Sequence, residues 1–364
     1  MKIVHLTVAR QLTHGQANQL RFEHDAAEKL DVAEWTTLAY HNGLVTEPYM
    51  RGIPLLFRTI FMRNLWGWLV ALQLSRSHDV VLMRHMTFDP FGFIFAPLIR
   101  NRVSVHHAKE VEELRLIRKG WKGRAASWLE QRSGVFAVRR AMAVLGVTQE
   151  IAEYEQQTRA PEKRIGVYPN GVDVEKVALL ADTRSKNKIQ AAFICGTFSQ
   201  WHGLDKLILA ADEHGMQQGN TPLIIHLIGR LSNQQKLDIA ATEARRAVFK
   251  AHGLMIEADY RPLLECCDIG IASMAMERQN LHEGSTLKVR EMLATGLPVY
   301  SGHKDVALPE GEDFVKITTR PTVAEMIEFA THVKRISRNH VRERSRSRID
   351  KGEAMAAVAR FFLK

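Results

Sequence analysis

The chain has 364 residues, 46% of them hydrophobic and 25% charged, an ordinary globular composition with length for two cored domains. Fifty basic residues against forty acidic ones leave a net charge of +10, which favours an anionic partner (a membrane surface, nucleic acid or a phosphorylated substrate) without choosing among them. The longest apolar stretch, residues 64–75, is short of the roughly 20 residues that a membrane span needs, and three cysteines, Cys195, Cys266 and Cys267, fit neither a disulfide framework nor zinc spacing and point to a reducing cytoplasm.

In chain order, residues 2–8 read as an opening strand, with too short an apolar run for a signal peptide. Thr13-His14-Gly15-Gln16-Ala17-Asn18 reads as a turn-rich loop and residues 19–30 as a helix. Ligands of open α/β sheets bind outside the carboxyl ends of strands, so Gly15 stands where a ligand approaches the backbone, or is a plain turn glycine. No Gly-x-Gly-x-x-Gly occurs there, which argues against a dinucleotide enzyme. Residues 52–75 mix Leu55, Leu56, Phe57, Ile60, Phe61, Trp66 and Trp68 with Arg51, Arg58 and Arg63. That mixture suits a helix lying at an anionic membrane interface, and equally a core-facing helix.

Further strands are expected at 32–40, 79–85, 102–108, 142–148 and 164–168, with helical stretches between them. This is the alternation of a doubly wound parallel sheet. His106 and His107 end one of these strands and point to opposite faces, so only one of them can reach a ligand. A turn cluster, Tyr168-Pro169-Asn170-Gly171-Val172-Asp173, precedes a second alternating set at 191–198, 223–229, 249–255, 268–274, 299–302 and 314–318. The fold class expected is α/β, with two Rossmann-like doubly wound domains facing a cleft. Residues 334–351 are strongly basic but lack the interleaved aromatics that stack bases, which argues against nucleic acid. Residues 354–363 form a final apolar helix.

The stretch around which the second half is organised is Glu283-Gly284-Ser285-Thr286-Leu287-Lys288-Val289-Arg290-Glu291. Gly284, Ser285 and Thr286 supply cap chemistry for a helix whose free N–H groups make an anion site, with Lys288 adding a point charge. Gly296 and Pro298 stop that helix. Glu283 and Glu291, eight residues apart, are separated by about 12 Å of helix. That is too far for an acid/nucleophile pair, which needs roughly 5–10 Å, and suits two groups gripping opposite ends of one long ligand.

Glu-x7-Glu followed by Ala294-Thr-Gly296-Leu-Pro298-Val299 resembles the nucleotide-sugar site of retaining glycosyltransferases of the GT-B fold, family 4 type, such as act in bacterial polysaccharide biosynthesis. The turn cluster at 168–173 resembles the hinge of that family. The resemblance implies that residues 1–168, completed by a helix at about 345–364, bind the acceptor, and that residues 169–344 bind the donor. Glu283 would contact the donor sugar and Glu291 the ribose. A histidine at the end of the 102–108 strand would lie beside the transferred sugar; His107 is the first choice and His106 the alternative.

Cys195-Gly196-Thr197-Phe198-Ser199-Gln200-Trp201-His202-Gly203 resembles the family's loop after the first strand of the donor domain. Thr197 and His202 stand where many members have Arg and Lys for the diphosphate. Lys288, Arg230 and the helix start would then take over that charge, with Gly196 in the loop; Arg278, after a strand and before Glu283, could reach phosphate or sugar, or lie in a solvated loop. The implied protein is a retaining hexosyltransferase using a UDP-sugar or GDP-sugar, with no other cofactor and no divalent metal. Its acceptor would be a saccharide or a polyprenyl-linked saccharide. The implied location is the cytoplasm or the inner face of the cytoplasmic membrane, where a peripheral contact would be made. A nucleotide-sugar 2-epimerase and a non-catalytic nucleotide-sugar-binding partner are the alternatives.

Overall fold

The computed structural model describes residues 1–87, 89–117, 120–213, 223–242, 247–308 and 311–364. The chain divides into two compact units, Met1–Asp173 with Asp350–Lys364, and Val174–Ile349.

The first unit is built on seven parallel strands: β1 (Lys2–Val8), β2 (Glu34–His41), β3 (Met50–Gly52), β4 (Val80–Arg84), β5 (Arg102–His106), β6 (Ala143–Gly146) and β7 (Arg164–Val167), in the order β3-β2-β1-β4-β5-β6-β7. A parallel sheet is covered on both faces, so its strands read as apolar runs; Ile3, Val4, Leu6, Val81, Leu82, Val103 and Val105 are buried accordingly. The order turns back between β1 and β4, and ligands of such sheets bind at the carboxyl ends beside that switch point.

Helices follow as α1 (His14–Ala27), α2 (Ile60–Leu74), α3 (Gly92–Phe95), α4 (Glu110–Ile117), α5 (Trp121–Arg139) and α6 (Gln149–Arg159). One expectation needs correction. The 13–18 segment is not a loop: Thr13 and Gln16 form a capping box, and each side chain meets the other's backbone N–H, so the helix starts five residues early. Gly15 therefore lies exposed in the first helical turn, and a Cβ there would touch nothing. The helix in residues 52–75 is divided in character. Trp68 is buried and donates Nε1–H to Asp89 at 2.5 Å, while Leu55, Leu56, Ile60 and Phe61 are exposed.

The second unit has six parallel strands, β8 (Ile189–Thr197), β9 (Leu223–Arg230), β10 (Ala247–Gly253), β11 (Ile269–Ile271), β13 (Val299–Ser301) and β15 (Val315–Ile317), in the order β10-β9-β8-β11-β13-β15. The switch point falls between β8 and β11. A separate pair, β12 (Glu283–Gly284) and β14 (Lys304–Asp305), runs parallel beside it. Helices α7 (Leu204–Glu213), α8 (Asn233–Thr242), α9 (Glu257–Cys266), α10 (Leu287–Ala294), α11 (Val323–Val333) and α12 (Arg338–Ile349) complete the unit.

The basic run at 334–351 is largely α12, and several of its arginines serve the unit itself. Buried Arg338 donates to the Cys267 carbonyl at 2.6 Å, Arg342 to the carbonyls of Val174 and Val177, and Arg344 to Glu312. Helix α13 (Lys351–Leu363) returns to the first unit, capped by Asp350. There Met355, Val358 and Ala359 join the cluster holding Ile3, Trp35, Leu82, Val105 and Tyr168. Among the described residues no helix is long and apolar enough to cross a membrane.

Candidate functional site

The carboxyl ends of β8, β9 and β11 carry the loops of the second unit, and α10 starts beside them. Glycine permits the close approach. At Gly229, φ is +142° and a Cβ would fall 1.7 Å from the Cys195 carbonyl oxygen, so β8 and β9 can meet this closely only without a side chain there. At Gly284 a Cβ would lie 2.4 Å from the His303 ring. The consequence is a strand end where Thr197 pairs with Arg230, and where Gly196, Thr197 and Arg230 are exposed. Arg230 has no side-chain partner among the described residues.

Lys288, in the first turn of α10, reaches back to this strand end. Its Nζ is 3.1 Å from Cys195 Sγ and 5.7 Å from the Phe193 ring centroid. Burial raises the Cys195 thiol's pKa even though Lys288 opposes the shift, so the thiol stays protonated. Lys288 thus has no carboxylate partner among the described residues, and its Nζ lies beside the end of β8, where Gly196 and Thr197 are exposed. Gly296, at φ +81°, ends α10 with the Leu297 and Gly296 N–H groups donating to the carbonyls of Met292 and Leu293 at 2.8 and 3.0 Å. This Schellman ending satisfies the expected stop.

The start of α10 corrects the sequence reading. Glu283 and Gly284 belong to β12, and the helix begins only at Leu287. The 12 Å helical separation of Glu283 and Glu291 therefore does not apply. Thr286 is the N-cap but makes no cap bond, and its Oγ1 is buried without a partner. Its own N–H is taken at 3.3 Å by Asp305, an acid the sequence reading missed. Asp305 is neutralised by Arg290 at 2.6 Å, both side chains fully buried. Among the described residues no acceptor meets the N–H groups of Leu287 and Lys288, so two of the helix donors remain available. Ser285 is buried beside Gly284. Glu283 and Glu291 are partly buried, and Glu291 lies close enough to Tyr260 that its charge raises the phenol's pKa after burial has done so.

Two further candidates are already engaged. Arg278 holds Asp205 with both nitrogens, at 2.6 and 2.9 Å, and the Gln200 carbonyl at 2.8 Å, so it braces the loop. His202 Nδ1 accepts the Ser199 N–H at 2.9 Å in a capping box. Burial first, then the Lys288 charge, pushes its pKa down to about 3, so the ring stays neutral. The loop residue His303 donates Nδ1–H to the Ser273 carbonyl at 2.9 Å, and its Nε2 is buried without a partner. Nothing in the spacing of the sequence marks it.

In the first unit the two histidines separate cleanly. His106 is fully buried, with Nδ1 2.9 Å from Glu110 and Nε2 2.8 Å from Ser104. His107 instead lines a cavity with His5, Glu23, Arg84, Tyr168 and Lys351, and its Nε2 is buried without a partner. Burial and the charges of Arg84, His5 and Lys351 push the His107 pKa well below the ordinary value, so it is neutral near pH 7. As for metals, His226, Cys266 and Cys267 form one group of convergent ligand atoms, and His106, Glu110 and Glu155 another. In the second, Arg159 Nε stands 3.1 Å from Glu155 and already supplies the cation.

No protein-family model matches the chain, and no curated protein matches it. Solved structures do. A sucrose-phosphate synthase from Thermosynechococcus elongatus is similar over 100% of this chain and 99% of its own, with TM-score 0.63 at 12% identity. An α-glucosyltransferase in complex with UDP-glucose and DNA containing an abasic site covers 100% and 99%, with TM-score 0.61 at 12% identity. The lipopolysaccharide outer core galactosyltransferase WaaB covers 100% of each chain, with TM-score 0.58 at 12% identity. The fold is the GT-B fold of such glycosyltransferases, carried by two doubly wound parallel sheets in one chain.

Proposed function

We propose that the chain is a glycosyltransferase that moves a hexose from a nucleoside-diphosphate sugar to a saccharide or polyprenyl-linked saccharide, with retention, in bacterial surface polysaccharide synthesis. The observation that carries the reading is the second-unit strand end. There Lys288 Nζ reaches the end of β8 beside Cys195, Arg230 is exposed opposite Thr197, and the first N–H groups of α10, those of Leu287 and Lys288, meet no acceptor among the described residues. Such a place suits a diphosphate. As the glycosidic bond breaks, charge gathers on the leaving phosphate, and fixed cations and amides stabilise it without reorganising. Arg230 and Lys288 do the work that Arg at 197 and Lys at 202 would do. The neutral His202 positions the loop through Ser199.

In this reading Glu291 binds the ribose, Glu283 orients the donor sugar and His107 meets the transferred sugar. No divalent metal is required, because Lys288 and Arg230 supply the countercharge. Similar structures support the donor class, since one is an α-glucosyltransferase in complex with UDP-glucose and another is a lipopolysaccharide galactosyltransferase. The exposed Leu55, Leu56, Ile60 and Phe61 beside Arg51 and Arg58 suit a peripheral contact with the cytoplasmic membrane.

Release of UDP or GDP from UDP- or GDP-hexoses, followed with and without saccharide acceptors, tests the proposal. Glu283→Ala should lose transfer while keeping nucleotide affinity, and Glu291→Ala should weaken nucleotide binding. Equal rates and affinities in both variants would remove these assignments. A changed sugar with no nucleotide release would identify an epimerase instead.

A further inference from the structure

The first-unit cavity lies at its own switch point, lined by residues of β1, β4 and the segments after β5 and β7. Its charges do not cancel as they do elsewhere in that unit. Glu23 is saturated. It accepts from Trp35 Nε1 at 3.1 Å, Thr37 Oγ1 at 2.9 Å, Tyr168 Oη at 2.6 Å and His5 Nδ1 at 2.9 Å, with Lys351 Nζ 3.6 Å away. Arg84 is the opposite case. It is partly buried at the end of β4 and has no hydrogen bond or ion pair with any described residue. Glu110 and Glu113 act on it only from beyond ion-pair distance. His107 Nε2 and His5 Nε2 are likewise buried without partners. Three unpartnered polar groups therefore line one void, a cationic fork, a neutral imidazole free to donate, and a second imidazole whose Nδ1–H is committed to Glu23.

The enclosed space is about 20 Å³, room for about one water. A water would satisfy the imidazoles but leave the guanidinium charge unanswered. A charged oxygen answers the guanidinium, while the body of the ligand stays outside.

We propose that this void is an anion subsite, and that it takes a phosphoryl or carboxylate group borne by the sugar acceptor. Arg84 is the charge partner, and the unpartnered Nε2 of His107 lines the same void. A guanidinium is a charge-assisted donor to an oxygen of either anion. That the ligand is the acceptor rests on the glycosyltransferase reading; that it is an anion does not.

The test is calorimetric titration of the full chain, without nucleotide, using glucose 6-phosphate, glucuronate and glucose. At least one anionic sugar should bind at concentrations where glucose gives no signal. Inorganic phosphate should compete with glucose 6-phosphate if the phosphoryl form is the one bound. Arg84→Gln should lower the affinity at least tenfold and Arg84→Lys by less, with circular dichroism confirming that each variant is folded. Should Arg84→Gln fail to fold, the wild-type contrast between the anionic sugars and glucose and the Arg84→Lys titration decide. Binding of neither anion, binding of glucose as tight as theirs, or an affinity indifferent to Arg84→Gln would overturn the subsite. UDP and GDP titrations of the same variants report on the second unit separately. Anion binding that depends on Arg84 in a chain that binds no nucleotide would keep the subsite and sink the proposed activity.

Discussion

In the first unit the side chains around the cavity answer one another at Glu23, while Arg84, His107 and His5, which line the same cavity, keep unmet groups among the described residues. In the second unit, with a comparable strand order, the equivalent ends are cleared. Gly196 and Thr197 are exposed, Gly229 lets two strands touch, and Lys288 reaches in from a helix. The same topology thus carries a crowded recess in one half and an exposed strand end in the other. Fold alone does not set the chemistry; the side chains left unpaired at the switch point do.

The sharpest way to break the comparison is at the glycine that clears the second site. Gly229→Ala places a Cβ 1.7 Å from a carbonyl oxygen, and urea denaturation should show a loss of about 4 kcal/mol or more, or no folded protein. Near-native stability there would mean that the strands need not approach so closely. Next is the filled site. Glu23→Gln leaves His5 and Lys351 facing a neutral amide, and should cost about 3–5 kcal/mol by the same measurement. A smaller loss would show that Glu23 fills space rather than anchoring charge.

Acid should separate the two halves from a typical carboxylate-driven profile. His107 is held well below 6.5, and His106 and His202 are pushed to about 3 chiefly by burial. The unfolded chain therefore binds protons first as the pH falls. The stability tied to these rings is complete above about 6.5 and drains as the pH falls towards 3. Glu23, also lowered despite its burial, adds to the loss below about 4.5. His85, raised by Glu130 against its own burial, acts in the opposite sense. Thermal unfolding from pH 8 to pH 4 should show the midpoint falling already below about 6.5; a flat profile down to pH 4.5 would contradict the buried neutral histidines. The smallest effect belongs to Arg278. Its exposed pair with Asp205 should be worth up to about 1 kcal/mol, and Arg278→Met should leave nucleotide affinity unchanged.

Much of this was legible in the sequence because parallel strands are apolar runs and helix stops are written in Gly and Pro. The alternating strands and Gly296 as a stop follow from those rules; of His106 and His107 strand geometry says only that they face opposite ways, and the preference for His107 rests on the family resemblance. The helix start after Glu283 was not legible. Ser and Thr before an apolar stripe read as caps, whereas a two-residue pairing with Lys304–Asp305 holds Glu283 and Gly284 extended. Pairings so short carry no periodicity. Arg278 looked available because Asp205, its partner, is 73 residues away in sequence. Arg84 was overlooked for the converse reason. Pairing is a property of three-dimensional neighbours, and a strand-end arginine carries no local mark of lacking one.

The central claim is that Lys288 and Arg230 hold a diphosphate at the second-unit strand end. Calorimetric titration of the full chain with UDP, GDP and the matching monophosphates, in wild type and in Lys288→Met and Arg230→Met, tests it most directly. One diphosphate should bind more tightly than its monophosphate, and each variant should weaken the diphosphate about tenfold or more while leaving the monophosphate nearly unchanged. Diphosphate affinities equal in all three proteins would contradict it.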